Sequence, residues 1–332
     1  MLIRVSKFLS KWLPVITILV IGIGLVVGYY YPGVAKSLKP YVPIPLFLML
    51  LPMMTGLNLG GVAGVLRRPK VLLSAILLNF VIVPPLGKLF AELFFRGAPP
   101  LLAVGYILNM VTPCSGMVAA WTGLAKGKVE TALVIVSTSL ILAIGFIPLW
   151  MWALTGNMVR VPVTLILKNL AYIVVAPLIA GQLIRKILIK KIGTKRFMEI
   201  RPYFPGISSF GMYIIIFISM ALEAKTVISN PHYAWLVAAS MSSFYLLVFA
   251  LTVMYAKIAH IDYEDMVALA YGVTARNLSI TIALALTTWG GLAVLAPAFD
   301  PPIQVGVMML FLYLVPRLKP WLQRKRREVR SV

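Results

Sequence analysis

Apolar residues in this chain do not alternate with polar ones; they run on in long blocks. The blocks fall at roughly 12–31, 41–60, 71–95, 100–125, 129–154, 163–186, 203–222, 235–257, 266–290 and 301–316. Most approach 20 residues, the length a helix needs to cross about 30 Å of hydrocarbon. A transmembrane β-barrel is excluded, because its strands alternate apolar and polar positions over roughly ten residues. The pattern predicts an all-α integral membrane protein with ten transmembrane helices in one membrane domain covering residues 1–332. The first block, Trp12 to Tyr31, ends in aromatic residues and lacks a small-x-small cleavage site. It is expected to be a retained first span rather than a signal peptide.

The gaps between blocks set the topology. Arg67, Arg68 and Lys70 follow the second block, Lys126 and Lys128 the fourth, and Lys257 the eighth. A larger cluster, Arg185 to Arg201, follows the sixth, and the tail adds Arg317 to Arg330. The other loops hold only Lys36, Lys39, Arg96, Arg160 and Lys225. By the positive-inside rule both termini are cytoplasmic. The hydrophilic connection 187–202 divides the spans into five and five. Since five is odd, the halves insert with opposite orientation, the 5+5 inverted-repeat plan of many secondary transporters. The first repeat covers about 12–154, the second about 163–316, and 317–332 is a basic cytoplasmic tail.

Composition narrows the function class. Of 332 residues, 61% are hydrophobic and 12% charged, too apolar for a soluble globule. The net charge of +22 does not indicate nucleic acid, because the basic residues form no continuous face with interleaved aromatics. It fits an anionic lipid surface. The chain has one cysteine, Cys114, so it has no intrachain disulfide and no zinc site built on several cysteines. His232 and His260 are isolated loop histidines and suggest no metal site. No phosphate-binding Gly-x-x-x-x-Gly-Lys-Ser/Thr loop occurs, which excludes ATP-driven pumping by this motif. No His-Glu-x-x-His, Gly-x-Ser-x-Gly or intramembrane aspartate pair suggests an enzyme. The simple tail and the lack of an organellar presequence point to a prokaryotic plasma membrane.

Two blocks are interrupted by polar residues and helix breakers, each in the fourth span of its half. In span 4 the run is Asn109-Met-Val-Thr-Pro-Cys-Ser-Gly-Met117. Pro113 lacks a backbone donor and disfavours helix at Thr112. Thr112 and Pro113 read as N-cap and first residue of a half-helix reaching Lys126, whose free N–H groups suit an anion. An ordinary proline kink patched by Thr112 and Ser115 is the plainer alternative. In span 9 the run is Tyr271-Gly-Val-Thr-Ala-Arg-Asn-Leu-Ser279. An arginine mid-span costs roughly 2.5–3.5 kcal/mol on insertion scales, so Arg276 needs a polar interior and a partner. Thr274, Asn277 and Ser279 add polarity beside it. Asn79 in span 3 and Ser137, Thr138 and Ser139 in span 5 either join this site or bond neighbouring helices. Asp300, Glu92 and Glu223 fall at outer ends, and Asp262, Glu264 and Asp265 in a cytoplasmic loop; all are expected to be solvated.

The run Thr112-Pro-Cys-Ser-Gly-Met-Val-Ala-Ala-Trp-Thr-Gly-Leu-Ala-Lys-Gly127 resembles the fourth span of the bile acid:sodium symporter superfamily. The likeness is greatest to its arsenite permease branch, through Cys114, Met117-Val118, Trp121 and Leu124 to Gly127. Asn79-Phe80 with Pro84 resembles that branch's Asn-Trp and nearby Pro. Arg276-Asn277, leading into Ala283 to Leu286, is similar to the superfamily's second crossing motif. The resemblance implies two discontinuous helices crossing near the bilayer centre. It also implies a core of spans 3, 4, 5, 8, 9 and 10 moving against a panel of spans 1, 2, 6 and 7.

Motifs and resemblance together predict a secondary transporter with no cofactor beyond a coupling ion, H⁺ or Na⁺. The first expectation is efflux of arsenite or a related metalloid oxyanion. Cys114 would serve as a soft thiolate ligand, made more acidic by the half-helix terminus and Arg276. Thr112, Ser115, Asn109, Arg276, Asn277 and Ser279 complete the substrate site, and Asn79, Ser137, Thr138 and Thr274 a coupling-ion site. The alternative is sodium- or proton-coupled transport of an organic anion such as a small carboxylate or sulfate. Two departures bear on coupling. Ser279 stands where the arsenite branch carries a glutamate, and no acid occurs from Met266 to Trp289. A sodium site without a carboxylate, beside Arg276, is weakened.

Overall fold

The computed structural model describes residues 12–57 and 69–330. Arg67 and Arg68 of the expected cytoplasmic cluster lie outside the described residues. Among the described residues the regular structure is helical, with no strand. In chain order the helices are α1 Leu13–Tyr30, α2 Pro32–Leu38, α3 Pro43–Gly56, α4 Pro69–Phe94, α5 Pro100–Val111, α6 Met117–Leu124 and α7 Val129–Thr155. They continue as α8 Val163–Ile200, α9 Phe204–Leu222, α10 Ala224–Ser229, α11 His232–Ile258, α12 Tyr263–Thr274, α13 Leu278–Thr288 and α14 Leu295–Arg330. Six helical stretches are long and apolar enough to cross a membrane: α4, α7, α8, α11, α12 with α13, and the stretch Gly291–Pro320. A seventh is α1 with α2, bent by 114°. The chain is a multi-pass membrane protein.

The lipid-facing surface is apolar where a soluble protein would be charged. On α1, Ile18, Leu19, Ile23 and Val26 are all more than half exposed. With the outside apolar, burial alone does not tell a helix which face to turn inward, and close packing of small residues does. A Cβ placed on Gly28 of α1 would lie 2.0 Å from the Ala221 carbonyl of α9. One on Gly105 of α5 would lie 2.0 Å from the Ala293 carbonyl, in the turn before α14. These contacts help form two groups. Helix α9 packs on α1 and α3, and α8 on α3, while α4 to α7 pack with α11, α12 and α14; α1 also packs on α14.

Three boundaries differ from expectation. The connection 187–202 is helical as far as Ile200, broken only at Gly193, whose φ of 80° suits glycine. The last helix starts at Leu295 rather than 301, which places Asp300 one turn inside it. Asp265 sits in the first turn of α12, buried, and accepts a hydrogen bond from the Thr131 hydroxyl at 2.6 Å. Neither Asp300 nor Asp265 is solvated, because each lies on a helix face that another helix covers. Glu92 is exposed as expected and pairs with Lys88 at 3.2 Å.

Candidate functional site

Both interrupted spans break where the sequence places polar residues. Helix α5 stops at Val111, and Thr112 is extended (φ −73°, ψ 124°), as a residue before proline prefers. Thr112 is therefore the C-cap of α5 rather than the N-cap of a half-helix, and its hydroxyl donates back to the Leu108 carbonyl at 2.7 Å. The chain crosses without helix to Gly116, and α6 begins at Met117. Helix α12 stops at Thr274, Ala275 is extended, and Asn277 N-caps α13 by accepting from the Ile280 amide at 3.3 Å. The two crossings are tied together: the Asn277 amide donates to the Pro113 carbonyl at 2.9 Å.

Arg276 is fully buried at this junction. Among the described residues its guanidinium is held by neutral oxygens rather than an ion pair. Nη1 donates to Asn79 Oδ1 at 3.4 Å, the Met110 carbonyl at 3.3 Å and the Thr112 carbonyl at 3.4 Å. Nη2 donates to the Val273 carbonyl. The freed carbonyls of α5 and α12 are thus its partners, which is how a broken helix end stabilises a cation. Gln304 of α14 clamps the arginine's backbone: Oε1 accepts from the Arg276 amide at 2.5 Å and Nε2 donates to its carbonyl at 3.5 Å. Among the described residues Nε of Arg276 has no partner.

The remaining expected residues divide between two sides. Asn79 lies in a π-helical turn, Leu78–Ile82, and donates to the Gly272 carbonyl at 3.0 Å, joining α4 to α12. Ser137 and Thr274 are buried, and the hydroxyls of Thr138 and Thr274 have no partner among the described residues. Asn109 donates to Asp300 Oδ2 at 2.5 Å. Cys114 is fully buried beside Ser139 of α7. None of these residues lines the cavity beside the crossings, a space of about 130 Å³. Ser115, Arg276, Asn277 and Ser279 do line it, together with Gly116 and Met117. The opposite wall comes from α3 and α9: Met53, Gly56, Phe204, Ser208, Ser209 and Met212.

The described lining contains two arginines, Arg276 and Arg201, and no acid. Arg201 Nε donates to the Gly56 carbonyl at 2.8 Å, and burial lowers its pKa from the usual value. Three donor-bearing groups on the lining residues lack any acceptor among the described residues: Arg276 Nε, Asn277 Nδ2 and Ser208 Oγ. Buried donors without acceptors are costly, and these three are themselves shielded from the open space of the cavity. Sequence reasoning missed Arg201, Ser208 and Gln304. The Ser208-Ser209 pair in an apolar span, and Gln304 one turn beyond Asp300, were the available signals.

The sequence model of the Sodium Bile acid symporter family matches residues 43–230, from α3 to the turn before α11. The arsenical-resistance protein Acr3 of Alkaliphilus metalliredigens is 25% identical, covering 97% of this chain and 96% of that protein. An uncharacterized transporter of Synechocystis, slr0944, is 25% identical over 96% of this chain and 90% of its own. A probable chloroplastic sodium/metabolite cotransporter of Arabidopsis thaliana, BASS3, is 24% identical over 86% of this chain and 62% of its own.

Proposed function

The chain belongs to the sodium bile acid symporter family, and we propose that within it the protein is a ten-span secondary transporter moving a small oxyanion by alternating access. The observation that carries this reading is the cavity between α3 with α9 and the crossing. Its wall is largely apolar, with two arginines, Asn277, Gln304 and four serines among the lining residues and no carboxylate among those described. At about 130 Å³ it is small beside the roughly 300–1,000 Å³ of sites for drug-sized ligands, so it suits a solute of few atoms rather than a sterol. Metalloid oxyanions of the arsenite class come first, because relatives over nearly the full length are named arsenical-resistance proteins. Recognition is by hydrogen bonds to oxygen; Cys114 lies off the cavity wall and is not a ligand in this reading. A small carboxylate or sulfate is the second reading, favoured by the same donors and by the relatives named sodium/metabolite cotransporters.

The ten-span, inverted-repeat plan draws support from the two breaks, which fall in the fourth span of each half. With the basic ends of the loops cytoplasmic, the cavity opens inward, at the end where α3 stops and α9 starts. Relative motion of the two helix groups then carries the solute across. The coupling ion is a proton rather than sodium, since the described cavity lining and the whole stretch Met266 to Trp289 lack the carboxylate a hard cation needs.

Counterflow in proteoliposomes tests the reading. Vesicles preloaded with unlabelled arsenite should take up labelled arsenite, and sulfate or a small carboxylate in the loading solution should support or compete with that exchange. No exchange of any of the three by inserted protein sinks the oxyanion assignment.

A further inference from the structure

Asp300 is a carboxyl group in the dry interior that the cavity does not use. It is fully buried on α14. Asn109 Nδ2, from α5, and the Tyr245 hydroxyl, from α11, both donate to its Oδ2. Among the described residues its other oxygen, Oδ1, has no donor, and neither has Oδ1 of Asn109. The two unpartnered acceptors belong to the same hydrogen-bonded pair. The titratable and charged groups facing Asp300 are Tyr245 from α11, Tyr106 from α5 and Arg276 from the crossing. Among the described residues no cationic side chain touches it, so contact does not neutralise it. A hard cation would need several more oxygens than the two left free. A proton needs one.

The same carboxyl is wired to both crossings. Asn109 stands three residues before Thr112, where α5 ends and the first crossing begins. Gln304 stands one turn after Asp300 on the same face of α14, and its amide brackets the Arg276 backbone. A change of charge at Asp300 therefore acts on Arg276 through the low-dielectric interior and on both broken helices through bonded side chains.

We propose that Asp300 binds and releases the coupling proton, and that proton and oxyanion occupy the protein together. The site itself stands on the geometry of Asp300; its coupling role rests on the oxyanion reading above. The sign is set by Arg276. With Asp300 protonated, the arginine's positive charge is uncompensated and favours an anion in the cavity. With Asp300 ionised, the pair sums to zero and the anion binds less well. Reciprocity makes each ligand favour the other, and site–site coupling of this kind is typically on the order of tenfold.

Infrared difference spectra of the protein in lipid vesicles, stepped from acid to alkaline buffer, test the site without any substrate. A protonated-carboxyl carbonyl band should be lost on the step in wild type and in the control Asp265→Asn. It should be missing in Asp300→Asn and displaced in Asp300→Glu, which keeps a carboxyl. An unchanged band in both Asp300 variants, or no such band in wild type, overturns the proposal; if Asp300→Asn fails to fold, the displacement in Asp300→Glu decides. In proteoliposomes, Asp300→Asn should keep arsenite counterflow but lose accumulation driven by a pH gradient. Gradient-driven accumulation in Asp300→Asn overturns the coupling role. An Asp300 band without exchange of any tested oxyanion leaves the proton site standing and removes the substrate reading instead.

Discussion

At the scale of single residues, Cys114 and Arg276 exchange importance between sequence and structure. The sequence places both at helix breaks, and soft-ligand chemistry makes the lone cysteine the attractive one. Which way a side chain points from an extended segment is not written in the spacing. Here Ser115 faces the cavity and Cys114 faces α7, fully buried. Cys114→Ala should therefore leave arsenite counterflow within about threefold of wild type, the change expected of a packing residue rather than a ligand. Abolished exchange in a well-inserted Cys114→Ala protein would restore the thiol as a ligand. Arg276 is different, because its planar fork reaches four oxygens on α4, α5 and α12 at once. A lysine carries the charge but cannot span them. Arg276→Lys should lower counterflow by about tenfold or more, the loss of one charge-assisted hydrogen bond at roughly 1.5–3 kcal/mol. Exchange at the wild-type rate would mean that charge alone, not the fork, serves the site.

Helices were legible in the sequence where composition was extreme, and their ends were legible where a residue type forced them. The breaks at Pro113 and around Arg276 came from a missing donor and a mid-span charge. The helix start at Met117 did not announce itself, because Thr112-Pro113 fits a helix N-terminus as well as it fits a C-cap followed by proline. Asn277 has two polar ends that the sequence does not separate: its Oδ1 caps α13, and its Nδ2 is a buried donor with no acceptor among the described residues. Substitution separates them. Asn277→Ala should lose about 1 kcal/mol of stability with the cap. Asn277→Asp keeps the cap acceptor and turns the donor into a negative oxygen, so stability should hold while oxyanion counterflow falls. If thermal unfolding ranks the two variants the other way, Asn277 is not a working cap. At the opposite end of the bundle, Glu223 closes α9 half-buried, and burial raises its carboxyl pKa above the ordinary range. The folded protein then binds this proton more tightly than the unfolded chain, so stability falls as pH rises through the raised value. Glu223→Gln should remove that part of the fall in melting temperature between mildly acidic and neutral pH. An identical pH profile in the variant would mean the carboxyl gains as much from its surroundings as it loses by burial.

At the scale of the whole molecule, what matters is which end is shut. Helix α8 packs on α3, yet near its start it touches α7 and α13, and there Asn169 Nδ2 donates to Thr288 Oγ1 of α13 at 3.0 Å. Sixteen residues later Arg185, on the same helix, donates to the Leu57 carbonyl at the end of α3. At 1.5 Å per residue the two contacts are about 24 Å apart, close to the thickness of the hydrocarbon core. The Asn169–Thr288 contact thus ties α8 to α13 at one end of α8, while the cavity lies toward its other end, beside Gly56 and Arg201. Alternating access requires this bridge to part when the cavity closes. None of this was legible in the sequence, because a lone Asn and a lone Thr in apolar spans usually bond whatever helix is near. With Cys114 replaced by alanine, cysteines at 169 and 288 joined by a short reducible thiol cross-linker should stop counterflow, and reduction should restore it. A cysteine at 208 should stay reactive to a thiol label from the cavity side throughout. Counterflow that continues in fully cross-linked protein would show that α8 and α13 do not separate during transport, and the moving boundary would have to lie elsewhere.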